Sequence, residues 1–298
     1  MNETRLGQVY AVLALLFWGA IAPIYFKQVV SVEPIEVLIH RIVWSFIILI
    51  PLLYITKQVD VFKKIIVDIK KLKYLAFSSF FISLNWIVFI WAVANDKIME
   101  TAFGYYINPL VSVFLGYVIF HERMTKYQYI AVSIAFMAVL YQLLSLGSLP
   151  IVSLILAFSF AFYGMIRKKV NIGSIVGLFV ETLIMLPFAL LGIYYLIVSG
   201  TISFLNYSVN SSDYINVMLV LGGIITITPL LLFNGAATRM KLSTLGFFQY
   251  LGPTCAFLLA IFVYHEEFNS DKLITFALIW IALVVFSFDS LSKKIRKN

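Results

Sequence analysis

Two similar segments, separated by 144 residues, constrain the fold of this chain more than any other feature. The first, Thr101–Glu122, has the sequence TAFGYYINPLVSVFLGYVIFHE, and the second, Leu245–Glu266, has the sequence LGFFQYLGPTCAFLLAIFVYHE. The ungapped alignment pairs Tyr106 with Tyr250, Pro109 with Pro253, His121 with His265 and Glu122 with Glu266. Four such identities in one register favour an internal duplication. The chain is therefore predicted to consist of two halves, 1–145 and 146–298.

The composition places both halves in a membrane. Hydrophobic residues make up 62% of the chain and charged residues only 12%, which lies outside the range of soluble globular domains. Lipid must therefore be the solvent for much of the surface. The single cysteine, Cys255, excludes an internal disulfide and a cysteine-based metal cluster. We predict an all-α polytopic membrane protein.

Ten apolar runs are about long enough to cross a bilayer, which takes roughly 20 residues each. They are Leu6–Tyr25, Pro34–Tyr54, Tyr74–Ala94, Thr101–Phe120, Tyr127–Leu144, Ile151–Met165, Ile175–Val198, Val217–Phe233, Leu242–Tyr264 and Leu273–Phe288. The first run is expected to be a retained helix, because Pro23 and further spans follow it. Five crossings per half is an odd number, so the second half is predicted to be inverted relative to the first, as in many secondary transporters.

The distribution of basic residues supports this count and predicts an orientation. With the N-terminus in the cytoplasm, 18 of the 22 lysines and arginines fall on the inner side of the ten spans. An asymmetry of this kind places both termini in the cytoplasm, in a cell membrane. It also explains the formal net charge of +8, and no aromatic-basic motif supports binding of nucleic acid.

The longest predicted inner loop, Ile55–Lys73, combines lysines with apolar residues at roughly helical spacing. This pattern is typical of an amphipathic helix that lies on the anionic leaflet. A solvated connector is an equally good interpretation, because the positive-inside bias alone favours these lysines.

Ionisable residues inside membrane helices indicate function, because each costs about 2.5–3.5 kcal/mol near a helix centre unless it is compensated. Glu36, His40 and Arg41 lie in the second run, and Glu36 and His40 share one helical face. All three lie within two turns of the predicted outer end. A role in substrate binding or coupling and simple snorkelling towards water are both consistent with that position.

Glu181 lies deeper, in SIVGLFVETLIMLPF, with no basic residue within one turn. It follows Glu36 by 145 residues, so an inverted repeat puts the two carboxyl groups at related depths from opposite faces. An isolated carboxyl group in apolar surroundings favours its neutral form and can exchange a proton near neutral pH. Glu181 is therefore the first candidate for coupling, and proton coupling is a hypothesis; a neutral, hydrogen-bonded structural role is the alternative.

Pro109 and Pro253 are predicted to interrupt their helices at equivalent depths. A proline removes a backbone donor and leaves carbonyl groups free to face a cavity or a ligand. Interrupted helices at corresponding places in two halves indicate the binding site of a transporter. The candidate binding residues near these prolines are Tyr105, Tyr106, Asn108, Gln249 and Tyr250. A simple kink at each proline is the alternative.

Other polar residues carry weaker signals. Asn85, in the third run, is a further candidate for substrate contact, whereas Thr226 in the eighth run is expected to link helices. The His121-Glu122 and His265-Glu266 pairs fall at helix ends, where capping is expected. The chain has no Walker A sequence, no second histidine of a zinc-protease helix and no G-x-S-x-G motif. We therefore predict no enzyme activity, no metal and no cofactor.

At this level of detail the sequence resembles a known family. The matching segments, in chain order, are FWG (17–19), HRIVWS (40–45), Asn85-Trp86, GYYINPL (104–110), Glu181-Thr182, ITPLLLF (227–233) and LSTLGFFQYLGPT (242–254). They resemble the drug/metabolite transporter superfamily in its EamA group, and more closely the RarD branch, known as chloramphenicol-sensitive proteins. Ala102-Phe103 stands where the family pattern has Ser-Leu.

The resemblance implies an inner-membrane permease with a central cavity between its halves. We therefore expect a secondary transporter that exports a small metabolite or a drug-like compound by alternating access, with lipid as its other partner. Two alternatives from other classes remain: a passive channel, and a membrane-embedded enzyme.

Overall fold

The computed structural model describes residues 2–95, 97–146, 150–206, 213–263 and 270–295, and all regular secondary structure in these ranges is helical. Along the chain, α1 (Glu3–Leu16) continues through a π-helical turn (Phe17–Ile21) into α2 (Ala22–Gln28). The remaining helices are α3 (Pro34–Ile55), α4 (Val59–Val67), α5 (Ile69–Ala94), α6 (Ile98–Phe120), α7 (Lys126–Leu146), α8 (Ile151–Val170), α9 (Ser174–Ser199), α10 (Asp213–Ala237), α11 (Leu242–Phe248), α12 (Leu251–Phe262) and α13 (Ser270–Ile295).

Length and hydropathy identify the helices that can cross a membrane. Within the described residues there are nine such spans, and a shorter apolar stretch, Leu273–Phe288, lies in α13. The predicted all-helical membrane class is thus confirmed. The sixth helix was predicted too short: α8 continues past Met165 to Val170, because Arg167, Lys168 and Lys169 form its last turn instead of a loop.

Eight of the long helical segments pack in a closed ring. The order around the ring is α1, α10, α3, α9, α5, α8, α6 and then α11 with α12, which count as one segment. α12 contacts the π-helical turn after α1 and so completes the ring. The remaining two, α7 and α13, pack against each other outside this ring. The ring encloses a central space, and side chains that reach several non-adjacent helices must face it.

Three pairs of helices in the bundle run antiparallel. In α3 and α9, Phe46 stacks on Phe179, while Ile39 lies next to Gly192. In α6 and α11, Tyr106 is bonded to Tyr250, and Glu122 to Leu242. In α7 and α13, Tyr127 contacts Phe288 and Gln142 contacts Thr275. The two similar segments of the sequence therefore lie side by side in opposite directions.

The structure corrects the expectation of a helix break at Pro109. α6 is continuous from Ile98 to Phe120 with Pro109 inside it. The Tyr250 hydroxyl donates to the Tyr106 carbonyl oxygen at 3.2 Å, one turn before the proline. Neighbouring helices commonly satisfy backbone groups near a proline in this way.

The second copy behaves differently. Its helix stops at Phe248, turns at Gln249-Tyr250 and resumes at Leu251, two residues before Pro253. This turn lies against the π-helical turn of the first helix. A Cβ atom on Gly19 would approach the Gly252 carbonyl oxygen to 2.5 Å, so the glycine permits the close contact. Two irregular helical segments thus meet at one side of the ring.

The loop predicted at Ile55–Lys73 contains the short helix α4. Its Ile65 is buried and Phe62 packs edge-on against Phe179 at 5.1 Å, whereas Lys63 and Lys64 are exposed. Of the two interpretations that the sequence left open, the amphipathic helix is the one the structure contains.

Glu122 joins the end of α6 to the start of α11. Its carboxylate accepts hydrogen bonds from the Leu242 and Ser243 amides at 2.7 and 2.8 Å and from the Ser243 hydroxyl at 2.7 Å. Lys168 lies 3.8 Å away. A carboxylate here satisfies amides at a helix N-terminus and complements the helix dipole. The equivalent residues of the second copy, His265 and Glu266, lie outside the described residues.

Replacing Glu122 should therefore loosen the broken helix. We expect Glu122→Ala to lower the stability of the folded protein by about 2–4 kcal/mol, because buried amides lose a charged acceptor. Thermal unfolding of the detergent-purified protein measures the change. Asp60→Ala, which removes an exposed carboxylate from α4, is the matched control, and equal effects of the two substitutions would contradict this role of Glu122.

Candidate functional site

Arg41 is the charged residue that the ring directs towards its own centre. It belongs to α3, and its Nε donates to the Thr226 hydroxyl of α10 at 2.8 Å. The guanidinium carbon lies 5.3 Å from the Phe26 ring of α2 and 5.0 Å from the Trp86 ring of α5. Contacts to three other helices, which are not all neighbours of α3 in the ring, are possible only from the enclosed space.

The charge of Arg41 is only partly compensated by these contacts. Among the described residues, no carboxylate lies within 4.0 Å of its guanidinium. Each aromatic ring contributes about 0.5–2 kcal/mol through cation–π attraction. Because a charge at membrane depth costs about 2.5–3.5 kcal/mol or more, the arginine retains a strong tendency to bind an anion.

Two tyrosines complete the surroundings of Arg41. The hydroxyl groups of Tyr25 and Tyr105 lie within electrostatic range of the guanidinium. Tyr25 is buried and donates to the Met218 carbonyl oxygen at 3.1 Å, whereas Tyr105 is 50% exposed. Tyr105, which the sequence analysis named because it lies near Pro109, therefore forms an accessible part of the surface around Arg41. This group of residues, Phe26, Arg41, Trp86, Tyr105 and Thr226, is called the arginine site below.

A layer of aromatic rings lies on one side of the arginine site. Trp18 of the first helix is 5.6 Å from Phe160 of α8 and 5.7 Å from Phe233 of α10, measured between ring centroids. Phe160 and Phe233 are 5.0 Å apart, and Phe233 is fully buried. These three aromatic side chains thus connect helices from different parts of the helical ring, and they close the central space.

Glu181 lies beyond this layer and is completely buried. Its carboxylate accepts from the Ser78 hydroxyl of α5 at 2.5 Å and from the Tyr163 hydroxyl of α8 at 3.3 Å. The Asn234 amide of α10 donates to Tyr163 at 2.7 Å. Glu181 therefore has several polar partners, although its own helix supplied no basic neighbour, and the network joins four helices.

Arg167 is the partner that the sequence analysis missed. It was assigned to an inner loop, yet it is fully buried in α8 with Nη1 3.6 Å from Glu181 Oε1. Its Nε and Nη1 make no hydrogen bond within the described part of the chain. The ion pair is therefore close but incompletely hydrogen-bonded. The five side chains Ser78, Tyr163, Arg167, Glu181 and Asn234 are called the glutamate network.

Two helices give the same separation between the arginine site and the glutamate network. Ser78 and Trp86 are eight residues apart in α5, and Asn234 and Thr226 are eight residues apart in α10. At a rise of 1.5 Å per residue, each interval is about 12 Å. The aromatic layer fits between them. The central space thus contains a cation at one level, stacked rings in the middle and a buried carboxylate at the other.

The structure separates Glu36 and His40 from Arg41. The Glu36 carboxylate accepts from the Ser203 and Phe204 amides at 2.8–3.0 Å and is completely buried. His40 lies 3.8 Å from Glu36 and, with Trp44, lines a mainly apolar cavity of about 410 Å³ between α3 and α9. Burial of both side chains contradicts simple snorkelling to water. Arg41 points in a different direction, into the ring.

The other predicted residues are distributed between helix contacts. Asn85 donates to the Leu156 carbonyl oxygen at 2.9 Å and to Ser159 at 3.0 Å, which links α5 to α8. The Asn108 side chain is buried and accepts from Ser112 at 3.2 Å. Gln249, in the turn between α11 and α12, is buried with its side-chain oxygen unbonded in the described structure.

The fold and these sites define a class: a polytopic helical membrane protein with polar residues directed into a closed helical ring. Residues 5–144 match the model of the EamA-like transporter family. The chain is 44% identical to "Protein RarD" of Salmonella typhi, over 99% of each chain. It is 44% identical to an "Uncharacterized transporter" of Vibrio cholerae, over 97% of this chain and 94% of that one. A solved structure titled "Crystal structure of protein" shares the fold, with a TM-score of 0.69 at 16% identity, over 94% of this chain and 96% of that chain.

The chain therefore belongs to the RarD branch of the EamA-type permeases within the drug/metabolite transporter superfamily. It is a multi-pass membrane transporter and not an enzyme.

The glutamate network generates a prediction about two glycines. Gly173 and Gly177 form a small-xxx-small pair in sequence, but only Gly177 faces Arg167, whose guanidinium occupies the space of a side chain at position 177. Gly177→Ala should displace Arg167 and lower stability by about 1–3 kcal/mol, as overpacking usually does. A Cβ at Gly173 would meet only Gln58 Oε1 at 3.7 Å, so Gly173→Ala is the matched control in thermal unfolding. Equal tolerance of both alanines would contradict the packing of Arg167 against α9.

Proposed function

We propose that this protein is a secondary transporter that carries a small metabolite through the helical ring by alternating access. One observation carries the proposal: the central space has an accessible arginine site at one level and a sealed glutamate network at the other. A transporter needs a site that is open to one side of the membrane at a time. The described arrangement corresponds to a state that is open at the level of the arginine site.

The proposal includes ten membrane spans in two inverted halves, 1–145 and 146–298. The first residues of α5, α6 and α7 are each followed 144 residues later by the first residue of another helix, namely α10, α11 and α13. The antiparallel contacts of α3 with α9, of α6 with α11 and of α7 with α13 support inversion. The distribution of basic residues supports cytoplasmic termini in the bacterial inner membrane.

One difference between the two halves concerns the packing of α8 on α10. α8 packs against α10 across the ring, through Tyr163 and Asn234. Their counterparts in the first half, α1 and α5, do not pack together to this extent in the described structure. In an inverted repeat, the second state forms when the two halves exchange such asymmetric contacts. Opening of the α8–α10 contact and closure of α1 on α5 is therefore the proposed conformational change.

Glu181 is the proposed coupling residue. Its carboxylate binds partners on α5 and α8, and Tyr163 extends the network to α10. Protonation would cancel its attraction to Arg167, 3.6 Å away, and weaken the contact that seals this end. A proton taken up at Glu181 would thus favour the other state, which is how an ion gradient can drive transport.

Transport in proteoliposomes tests both parts of the proposal. The compounds to screen are amino acids, aromatic metabolites and chloramphenicol, first by thermal stabilisation and then by flux. Flux of a stabilising compound should saturate and should show counterflow, whereas a passive channel would show neither. Glu181→Gln should abolish transport or its pH dependence without loss of folded protein.

The control for this variant is Glu33→Gln, which neutralises an exposed carboxylate at the start of α3 and should transport as the unmodified protein does. A Glu181→Gln variant with unchanged rate and pH profile would contradict the coupling role. Flux that never saturates would favour the channel alternative.

A further inference from the structure

We propose that the arginine site binds the carboxylate of a small organic anion whose remaining part is aromatic or apolar. This inference rests on the proposed function in one respect, because it names the class of compound that the transporter carries. Binding itself can be measured without transport.

The first argument is the missing counter-charge. Nε of Arg41 is held by Thr226 at 2.8 Å, and this is its only hydrogen bond to the described residues. The two terminal amino groups of the guanidinium thus remain available, side by side. A planar fork of this kind matches the two oxygens of a carboxylate and binds them with two parallel hydrogen bonds.

The second argument is a comparison with the other buried or half-buried cations of the bundle. Arg167 has Glu181 at 3.6 Å, Lys168 has Glu122 at 3.8 Å, and Arg239 has Glu3 at 2.8 Å. Arg41 has no such partner among the described residues, although it lies at membrane depth and is incompletely buried. Within the described residues, the other three cations are thus paired with carboxylates and Arg41 is not, which supports a partner that comes from a bound compound.

The third argument concerns the walls. The rings of Phe26 and Trp86 flank the guanidinium at 5.3 and 5.0 Å, and Tyr105 provides an accessible aromatic face. Such walls suit an apolar or aromatic body next to the carboxylate, because ring contacts bury apolar area. They offer no acidic group for a second positive charge, so a cationic compound would be repelled by Arg41. A small inorganic anion would leave the walls uncovered.

Two probes that differ only in charge test the inference on the purified protein. 3-Phenylpropionate carries the carboxylate, and 3-phenylpropionamide has the same shape without the charge. Titration calorimetry should show saturable binding of the acid, tighter than that of the amide by about tenfold or more, the loss expected when a hydrogen bond to a charged group is removed. Inorganic phosphate and sulfate should bind more weakly than the acid.

Arg41→Gln should abolish the difference between acid and amide, and Arg41→Lys should retain part of it, because an ammonium keeps the charge but not the fork. Arg239→Gln removes the same charge from an arginine that has a carboxylate partner and should bind the acid as the unmodified protein does. If Arg41→Gln fails to fold, the affinities of the acid and the amide for the unmodified protein and for Arg41→Lys still test the inference.

Equal binding of acid and amide, absence of saturable acid binding, or an equal loss in Arg239→Gln would overturn the inference. Failure of the proposed function looks different: the acid would bind through Arg41, yet proteoliposomes would show no counterflow of it. Conversely, counterflow of neutral compounds with no preference for the acid would support the transporter function and contradict the proposed anion site.

Discussion

The glutamate network is the interaction on which the described state of this bundle depends. A carboxylate buried in a membrane bundle has no water to bind and must find its partners in the protein. Glu181 finds them on α5 and α8, and Tyr163 passes the connection to α10. One end of the ring is closed because these helices share one charge. In the proposed mechanism, loss of that charge weakens the contacts of all these helices together.

The other buried carboxylates act as fixed anchors. Glu36 binds the amides of Ser203 and Phe204 after α9, and Glu122 binds the amides of Leu242 and Ser243 at the start of α11. Both carboxylates accept hydrogen bonds from backbone amides, which are held in place by the fold. Glu181, in contrast, accepts hydrogen bonds from side chains that can rotate. This difference in partners, rather than depth alone, separates structural carboxylates from one suited to switching. Arg41 is the converse case, a cation whose walls are aromatic and whose strongest partner has to come from elsewhere.

The sequence predicted the class of fold well, because hydropathy and basic loops report directly on the membrane. It located Glu181 and Arg41 as unusual charges but gave only part of their surroundings. Arg167 was missed because the cluster Arg167-Lys168-Lys169 has the composition of an inner loop, and only packing shows that its first member turns inward. The break at Pro109 was expected because a proline removes a hydrogen bond. It does not occur: α6 continues through Pro109, and Tyr250, distant in sequence, donates to the nearby Tyr106 carbonyl oxygen. Periodicity contains no information about such partners.

We propose that the two ends of the ring open alternately, and because Cys255 is the single cysteine of the chain, thiol labelling can test this directly. In a Cys255→Ser background, Tyr105→Cys and Ser78→Cys place single thiols in the arginine site and in the glutamate network. A membrane-impermeant maleimide is then applied to right-side-out and to inverted vesicles. We predict that the thiol at position 105 reacts from one side only and that the thiol at position 78 is protected. Adding Glu181→Gln should reverse this pattern and expose position 78 from the opposite side. Simultaneous reaction of both positions, from either side, would contradict alternating access and indicate a continuous pore.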